Sequence, residues 1–271
     1  MKKVNNHKNK KKSSEKVDPK KHLGQHFLID MNIATNIVEA LTNHKSYTHL
    51  LEIGAGTGVL TTSLMKRENF FVVEIDTESV VFLKKKYPTL ALLEADFLET
   101  EPTDWFQQEN FNEKFGVISN FPYHISTQIF FKLLPYKNQV MEVVGMLQKE
   151  VAMRLAAKPK TKDYGILSVF LQAYYHIEYL FTVEPDAFDP PPKVRSGVIR
   201  LTRNEVEKLD CNETKLMQIV KQGFNQRRKT LRNALKGLQM NEKVLQSHYL
   251  DKRAEELSVD DYVILTNLWE D

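Results

Sequence analysis

The run Asn120-Phe121-Pro122-Tyr123 places an amide side chain, a proline and an aromatic ring within four residues. An exocyclic amine of a nucleobase is a poor nucleophile because its lone pair is delocalised into the ring. If the Asn120 side-chain oxygen and the Pro122 carbonyl accept its two N–H protons, the lone pair becomes localised on nitrogen. Tyr123 can stack on a base that has left its helix. The motif predicts a site that catalyses group transfer to a base amine mainly by holding that amine in position. Alone, however, the motif is more typical of a turn that ends a strand.

A glycine-rich turn precedes this run, at residues 52–58 (EIGAGTG). Gly54 and Gly56 let the backbone turn tightly and approach a ligand. The G-x-G-x-G spacing differs from the G-x-G-x-x-G of a pyrophosphate-binding turn. Glu74 ends the next predicted strand, where it can hold ribose hydroxyls, and Asp96 ends the third, where it can accept from an adenine amine. The set predicts S-adenosylmethionine (SAM) as cofactor, with a NAD site or a structural turn as the alternatives.

Short apolar runs alternate with amphipathic stretches and predict the elements that carry these residues. Strands are predicted at 49–53, 70–75, 90–94, 115–119, 140–147 and 194–201, and helices at 31–41, from the glycines to 65, at 78–86 and at 127–134. This alternation predicts an α/β fold with a doubly wound, mostly parallel Rossmann-like sheet. Ligands of such sheets bind beyond the carboxyl ends of the strands, where both motifs fall.

The chain is predicted to have three segments. Residues 1–20 are polar and lysine-rich and are expected to be disordered, either as a solubilising tail or as an arm that contacts a polyanion. Residues 21–204 are expected to form the SAM-binding catalytic domain. Residues 205–271 have apolar residues at helical spacing and predict a small all-helical domain that contacts RNA.

A cluster of cations lies in the predicted helical domain, within residues 224–233 (FNQRRKTLRN). It contains Arg227, Arg228, Lys229 and Arg232, which are expected to lie within two helical turns, with Arg228 and Arg232 on one face. Such a cluster can clamp phosphates, although a charge run is most often a solvated helix face. Beside a base-modifying site, the phosphate-binding interpretation is favoured.

Composition restricts the remaining function classes. The longest apolar runs fall short of the roughly 18 residues of a membrane span, and no apolar segment of a secretory signal follows the N-terminal lysines. The lone Cys211 excludes an internal disulfide and a cysteine-based zinc site, and the scattered histidines do not predict a metal. We expect a cytoplasmic protein. Residues 1–21 hold nine lysines against two acids, whereas the rest has 33 acids and 29 bases, so a polyanion site on the body must be a local patch.

Taken together, these motifs resemble the small-subunit (16S) ribosomal RNA adenine N6,N6-dimethyltransferase family, the KsgA-like enzymes, from about residue 20 to the end. The matching runs, in order, are 24–28 (GQHFL), 52–58 (EIGAGTG), 120–126 (NFPYHIS), 147–150 (LQKE), 164–168 (YGILS), 188–194 (FDPPPKV), 224–233 (FNQRRKTLRN) and 253–258 (RAEELS).

The resemblance implies SAM-dependent dimethylation of two adjacent adenosines in the 3′-terminal hairpin of small-subunit rRNA, within a pre-ribosomal particle. It implies SAM contacts for His26, Leu28, Gly54, Glu74, Asp96 and Asn120. Two positions depart from the family pattern: His26 stands where asparagine is frequent, and Phe121 replaces the commoner leucine. A histidine can still donate to the cofactor carboxylate, and Phe121 keeps the site apolar. We expect a monomer.

Two alternatives share part of this pattern. One is a large-subunit rRNA adenine methyltransferase of the macrolide-resistance type, and the other is a non-catalytic ribosome-assembly factor on the same fold. The 224–229 run and the Pro-Pro-Pro-Lys loop at 190–193 favour the small-subunit family. The intact motif at 120–123 favours an enzyme.

Overall fold

The computed structural model describes residues 17–42 and 44–270. Its strands are β1 (Phe27–Leu28), β2 (His49–Ile53), β3 (Phe70–Glu74), β4 (Ala91–Glu94), β5 (Phe115–Asn120), β6 (Val140–Gln148), β7 (Tyr175–Val183), β8 (Phe188–Asp189) and β9 (Ser196–Arg203). Its helices are α1 (Met31–Glu39), α2 (Thr61–Leu64), α3 (Thr77–Lys86), α4 (Pro102–Trp105), α5 (Ser126–Leu133), α6 (Lys149–Ala156), α7 (Ile166–Gln172), α8 (Glu213–Asn225), α9 (Leu231–Ala234), α10 (Glu242–Gln246) and α11 (Val259–Glu270).

A seven-stranded sheet with the order β4-β3-β2-β5-β6-β9-β7 forms the centre of the molecule. The pairs from β4 to β6 are parallel, whereas β9 runs antiparallel to both β6 and β7. The strand order reverses between β2 and β5, and ligands of open α/β sheets bind at such a switch point. The predicted fold class is therefore confirmed.

Both faces of the sheet are covered, which explains the continuous apolar runs that marked its strands. Leu50 and Leu51 are neighbours in β2, and both side chains are fully buried. Leu50 belongs to the apolar core that α1 covers through Ile37, while Leu51 belongs to the core on the other side, with Trp105 of α4.

The predicted strands and helices agree with the structure to within a few residues. The sequence prediction missed β7, which lies at one edge of the sheet and is mostly half-buried. As an edge strand it pairs with β9 on one side only, and it lacks the complete burial of β2. The prediction also missed α6, α7 and the two-stranded ribbon of β1 and β8.

Most of the predicted tail, residues 1–16, lies outside the described residues. The last residues of that range are described, and they contact the rest of the protein: Val17 is buried, and Lys20 forms an ion pair with Asp76.

Helices α8 to α11 surround a third apolar core, which includes Ile219, Leu231 and Tyr262. Tyr164 and Val169, from the loop before α7 and from α7 itself, also belong to this core. It therefore draws side chains from both sides of the predicted boundary at 204/205, which stays a prediction. Within the described residues, no helix is long and apolar enough to cross a membrane.

Candidate cofactor and base site

A cavity of about 250 Å³ opens at the switch point of the sheet, beyond the carboxyl ends of β2, β3, β4 and β5. The residues predicted from sequence for cofactor and base binding all line it: His26, Leu28, Gly54, Gly56, Glu74, Asp96, Asn120, Pro122 and Tyr123. The structure therefore brings the two motifs into one site, although some 60 residues separate them in the chain.

The glycine turn forms the floor of the cavity, directly after β2. Gly54 and Gly56 have φ values of +69° and +55°, a left-handed conformation that favours glycine. A Cβ on Gly56 would lie only 3.0 Å from the ring of Phe27, which covers the turn. Both the backbone conformation and the close approach thus require glycine at position 56.

Glu74 holds the glycine turn against the end of β3. Its Oε2 accepts the N–H of Gly56 at 2.8 Å, and its Oε1 accepts the N–H of Asp76 at 2.9 Å. The carboxyl group is buried, and this desolvation raises its pKa. Because a carboxylate has about four lone-pair positions, Glu74 keeps acceptor capacity for ligand hydroxyls.

Glu52 is a second buried carboxyl group in the cavity lining, and the sequence prediction gave it no role. Its Oε2 accepts the hydroxyl of Thr61 at 2.6 Å. Burial raises the pKa of Glu52 to about 8. The sequence feature that could have identified Glu52 is its position two residues before Gly54, the first glycine of the motif.

Asp96 follows β4 and begins a short 3-10 turn. Its Oδ1 accepts the N–H of Leu98 at 2.9 Å, and the side chain is half-buried at the cavity wall. This bond fixes the carboxyl group and leaves Oδ2 without a partner among the described residues.

Asn120 is the last residue of β5, rather than the residue after it as predicted. Its Nδ2 group donates to the backbone oxygen of His26 at 3.2 Å. This bond sets the orientation of the amide and leaves Oδ1 as an acceptor. The Pro122 carbonyl accepts the N–H of Ile125 at 3.2 Å and retains a second lone pair. Asn120 and Pro122 both line the cavity, and each keeps acceptor capacity there.

Tyr123 is held in place at both ends. Its hydroxyl group forms a short hydrogen bond with the Ser196 hydroxyl, and burial raises the pKa of the phenol. Its ring stacks on the His26 imidazole with a centroid distance of 5.6 Å. His26 Nδ1 in turn lies 2.8 Å from the oxygen of Pro190. His26 thus contacts the predicted base site as well as the cofactor cavity.

The predicted cation cluster does not lie on one helix, so the expected shared face of Arg228 and Arg232 is wrong. Helix α8 ends at Asn225, and α9 begins only at Leu231. Between them, Thr230 forms an antiparallel bridge with Arg253. This pairing requires extended backbone and interrupts the helix.

The four cations of the cluster have different surroundings. The Arg232 guanidinium donates twice to Asp251 Oδ1, at 2.9 and 2.8 Å, and Arg227 donates to the oxygen of Thr161 at 3.2 Å. Arg228 and Lys229 are exposed, and their side chains have no ion pair within the described residues. These two cations are the best placed for a phosphate, and RNA contact by the cluster stays a prediction.

Within residues 17–42 and 44–270, no group of three or more histidine, cysteine, aspartate or glutamate side chains is arranged to hold a metal ion. The polar groups of the cavity are carboxyl, amide, imidazole and phenol side chains. This donor set suits hydrogen bonding to an organic cofactor and a base.

The sheet order and the strand-end site define a Rossmann-like methyltransferase. The fold is shared with a dimethyladenosine transferase from Plasmodium falciparum (TM-score 0.72, 24% identity, 89% of this chain and 96% of that one). It is also shared with the 23S rRNA methyltransferase ErmE (TM-score 0.64, 23% identity, 90% and 100%). At these identities the likeness shows the fold alone.

The sequence identifies the family. Residues 17–271 match the model of the ribosomal RNA adenine dimethylase family, and this chain belongs to that family. It is 54% identical to a ribosomal RNA small subunit methyltransferase A from Cytophaga hutchinsonii, over 94% of this chain and 98% of the relative. A relative of the same name from Porphyromonas gingivalis is 50% identical, over 93% and 98%. The predicted family is thus confirmed.

Proposed function

We propose that this protein transfers methyl groups from SAM to the exocyclic amines of two adjacent adenosines in the 3′-terminal hairpin of small-subunit rRNA, during ribosome biogenesis. One observation supports the chemical part of this proposal: the His26 backbone oxygen accepts from Asn120 Nδ2, which leaves Oδ1 as an acceptor in the cavity that Pro122 also lines. Membership of the adenine dimethylase family and the names of the bacterial relatives support the choice of substrate.

The cavity fits SAM by the chemistry of its lining. Glu74 has remaining lone pairs for ribose hydroxyls, and Asp96 has an oxygen for an adenine amine. Glycine at position 56 lets the Phe27 ring approach the turn closely, since a Cβ there would meet that ring. When bound, SAM supplies a methyl group on a positively charged sulfonium. The carboxyl groups of Glu52, Glu74 and Asp96 line the cavity, so its polar groups are mainly hydrogen-bond acceptors.

The protein activates the amine by two hydrogen bonds. In the first transfer, Asn120 Oδ1 and the Pro122 carbonyl each accept one N–H of the adenine amine. In the second, the monomethylated amine donates its remaining N–H to one of them, and after each transfer the nitrogen loses a proton to solvent. Both acceptors are fixed before substrate arrives, Asn120 by His26 and Pro122 by the turn to Ile125. Fixed acceptors select the amine geometry in which the lone pair points at the methyl group, so the catalytic contribution is mainly positioning.

Tyr123 supplies a surface on which the extruded adenine stacks. Its hydroxyl bond to Ser196 fixes the ring plane. A fixed aromatic ring loses little conformational entropy when the base arrives, and base–aromatic stacking contributes about 1–3 kcal/mol.

The partner we propose is a pre-ribosomal particle rather than naked rRNA, because the chain beyond residue 21 carries more acids than bases. Exposed cations such as Arg228 and Lys229 then act as local phosphate contacts. Action as a monomer is part of the same proposal. A cytoplasmic location belongs to the same proposal, because ribosomal subunits of bacterial cells assemble there.

The test of this function uses purified protein, labelled SAM, and two substrates. One is small subunits with an unmethylated 3′-terminal hairpin, and the other is large-subunit rRNA. Label and primer-extension stops at two adjacent adenosines of the small-subunit hairpin are the expected result. Label on large-subunit rRNA alone would assign the protein to the resistance type, and SAM binding without label on either would indicate a non-catalytic factor.

A further inference from the structure

Residues 20–28, which we call the strap, connect the cofactor side of the cavity with its base side. Residues 23–28 form part of the cavity lining. At the cofactor side, the Phe27 ring closely approaches Gly56. At the base side, His26 stacks on Tyr123. The position of the strap therefore affects both halves of the site.

Gln25 fastens the strap by two hydrogen bonds. Its Oε1 accepts the backbone N–H of Lys20 at 2.8 Å, which closes a turn within the strap. Its Nε2 donates to Oδ2 of Asp76 at 3.1 Å. The Asp76 side chain is fully buried and also pairs with the Lys20 ammonium group. Hydrogen bonds to a buried carboxylate are stronger than neutral ones, so Asp76 is a firm attachment point.

His26, the residue after Gln25, holds the side-chain amide of Asn120, which the proposed reaction uses as an acceptor. The backbone oxygen of His26 accepts from Asn120 Nδ2 at 3.2 Å, the long end of the normal range. A small displacement of the strap would break this bond. The Asn120 amide would then be free to rotate and to present Nδ2 to the base amine, which is itself a donor.

Resting on the proposed function, we propose that Gln25 is a positioning residue for methyl transfer. By fastening the strap to Asp76, it keeps the His26 carbonyl against Asn120 Nδ2 and so keeps Asn120 Oδ1 in the acceptor orientation. Gln25 acts on the reaction through His26. Substitution of Gln25 should therefore change the orientation of the Asn120 amide while the fold is retained.

Gln25→Ala removes both bonds of the fastening side chain. Asp76 is a poorer choice for substitution, because its Oδ1 also accepts the N–H of Glu78 at the start of α3. The matched control is Gln139→Ala, which removes a glutamine hydrogen bond to Asn112, 3.5 Å long, next to the start of β6. That position lies at the amino ends of the parallel strands, whereas the site lies at their carboxyl ends.

The test has two readouts on the full-length protein. The first is the side-chain amide NMR signal of Asn120, assigned by its loss in Asn120→Ala. The second is kcat with small-subunit substrate, counted per cofactor-binding site so that unfolded protein does not contribute. In Gln25→Ala we expect the Asn120 signal to move and kcat to fall roughly 10- to 100-fold. In Gln139→Ala we expect both readouts to match wild type.

An unmoved Asn120 signal in Gln25→Ala would overturn the inference, and so would a moved signal with wild-type kcat. Neither result would contradict the proposed function, because the wild-type protein would still transfer methyl groups. If wild-type protein transfers none, the proposed function fails, and this inference fails with it.

Discussion

The strand-end cavity takes residues from separate parts of the chain, whereas the C-terminal cation cluster comes from the single stretch 224–233, and the two are built differently. In the cavity, Glu74, Asn120 and Tyr123 are held by hydrogen bonds to backbone or to buried partners. In the cluster, Arg228 and Lys229 are exposed in a turn. In this protein the residues proposed for chemistry are therefore held rigidly, whereas the cations proposed for RNA contact contribute only local charge.

The largest effect is expected when the fixed acceptor in the cavity is removed. Asn120→Ala should lower kcat by at least about 100-fold, because the amine loses an acceptor at the reacting centre. SAM binding should persist and can be measured by calorimetry. Asn112→Ala, at a distance from the cavity, is the matched control. Turnover near wild type in Asn120→Ala would contradict the mechanism.

Burial of the cavity also predicts a pH effect. Glu52 has a folded-state pKa of about 8 against an ordinary value of 4.5. Between these values the folded protein keeps a proton that the unfolded chain has lost, so the free energy of unfolding falls as pH rises. Above the folded pKa both states are ionised, and this contribution becomes constant.

Glu52→Gln removes this titration, so its free energy of unfolding should fall less with pH than that of wild type. Urea unfolding at several pH values between about 5 and 8 measures the difference. Parallel pH dependence in the two proteins would show that Glu52 ionises normally in the folded state.

A smaller effect is expected when a side chain is placed at Gly56, where the Phe27 ring approaches the glycine turn closely. Gly56→Ala places a side chain in a left-handed conformation, at a cost of about 1–2 kcal/mol, and displaces Phe27. We expect SAM affinity to fall about tenfold, measured by calorimetry. Gly237→Ala is the control, since a Cβ there has no neighbour within 4 Å. Equal SAM affinity in both variants would mean that the turn tolerates a side chain.

The smallest expected effect is in the cluster. Arg228→Ala should reduce the slope of log affinity for RNA against log salt by about 0.7–0.9, the loss of one phosphate contact. Arg232→Ala should change the slope less, because its guanidinium is paired with Asp251. Filter binding at several salt concentrations compares them. An equal loss of slope in the two variants would reject the distinction drawn from their surroundings.

The sequence predicted the sheet and the cavity well because both depend on short-range patterns. Buried parallel strands such as β3 contain continuous apolar runs, and the ends of the strands bring Glu74, Asp96 and Asn120 to one place. The shape of the cluster depends instead on the bridge between Thr230 and Arg253. This pairing joins residues that are distant in the chain, so no local sequence pattern predicts it. The edge strand β7 was missed for a similar reason, since its half-buried residues follow neither period clearly.

The sequence predicted which residues line the site, but it did not predict the hydrogen bonds between them. Asn120 was recognised as an acceptor, but the bond from its Nδ2 to the His26 oxygen joins residues 94 positions apart. The roles of Gln25 and Glu52 depend on burial and on partners in space, which only the folded structure supplies.

The most direct test of the central claim counts modified nucleosides in the 3′-terminal fragment of small-subunit rRNA. Unmethylated small subunits are incubated with SAM and with wild-type protein or Asn120→Ala, and the fragment is digested and analysed by mass spectrometry. We predict two N6,N6-dimethyladenosines per subunit with wild type and almost none with Asn120→Ala. No dimethyladenosine with the wild-type protein, or equal amounts with both proteins, would contradict the account.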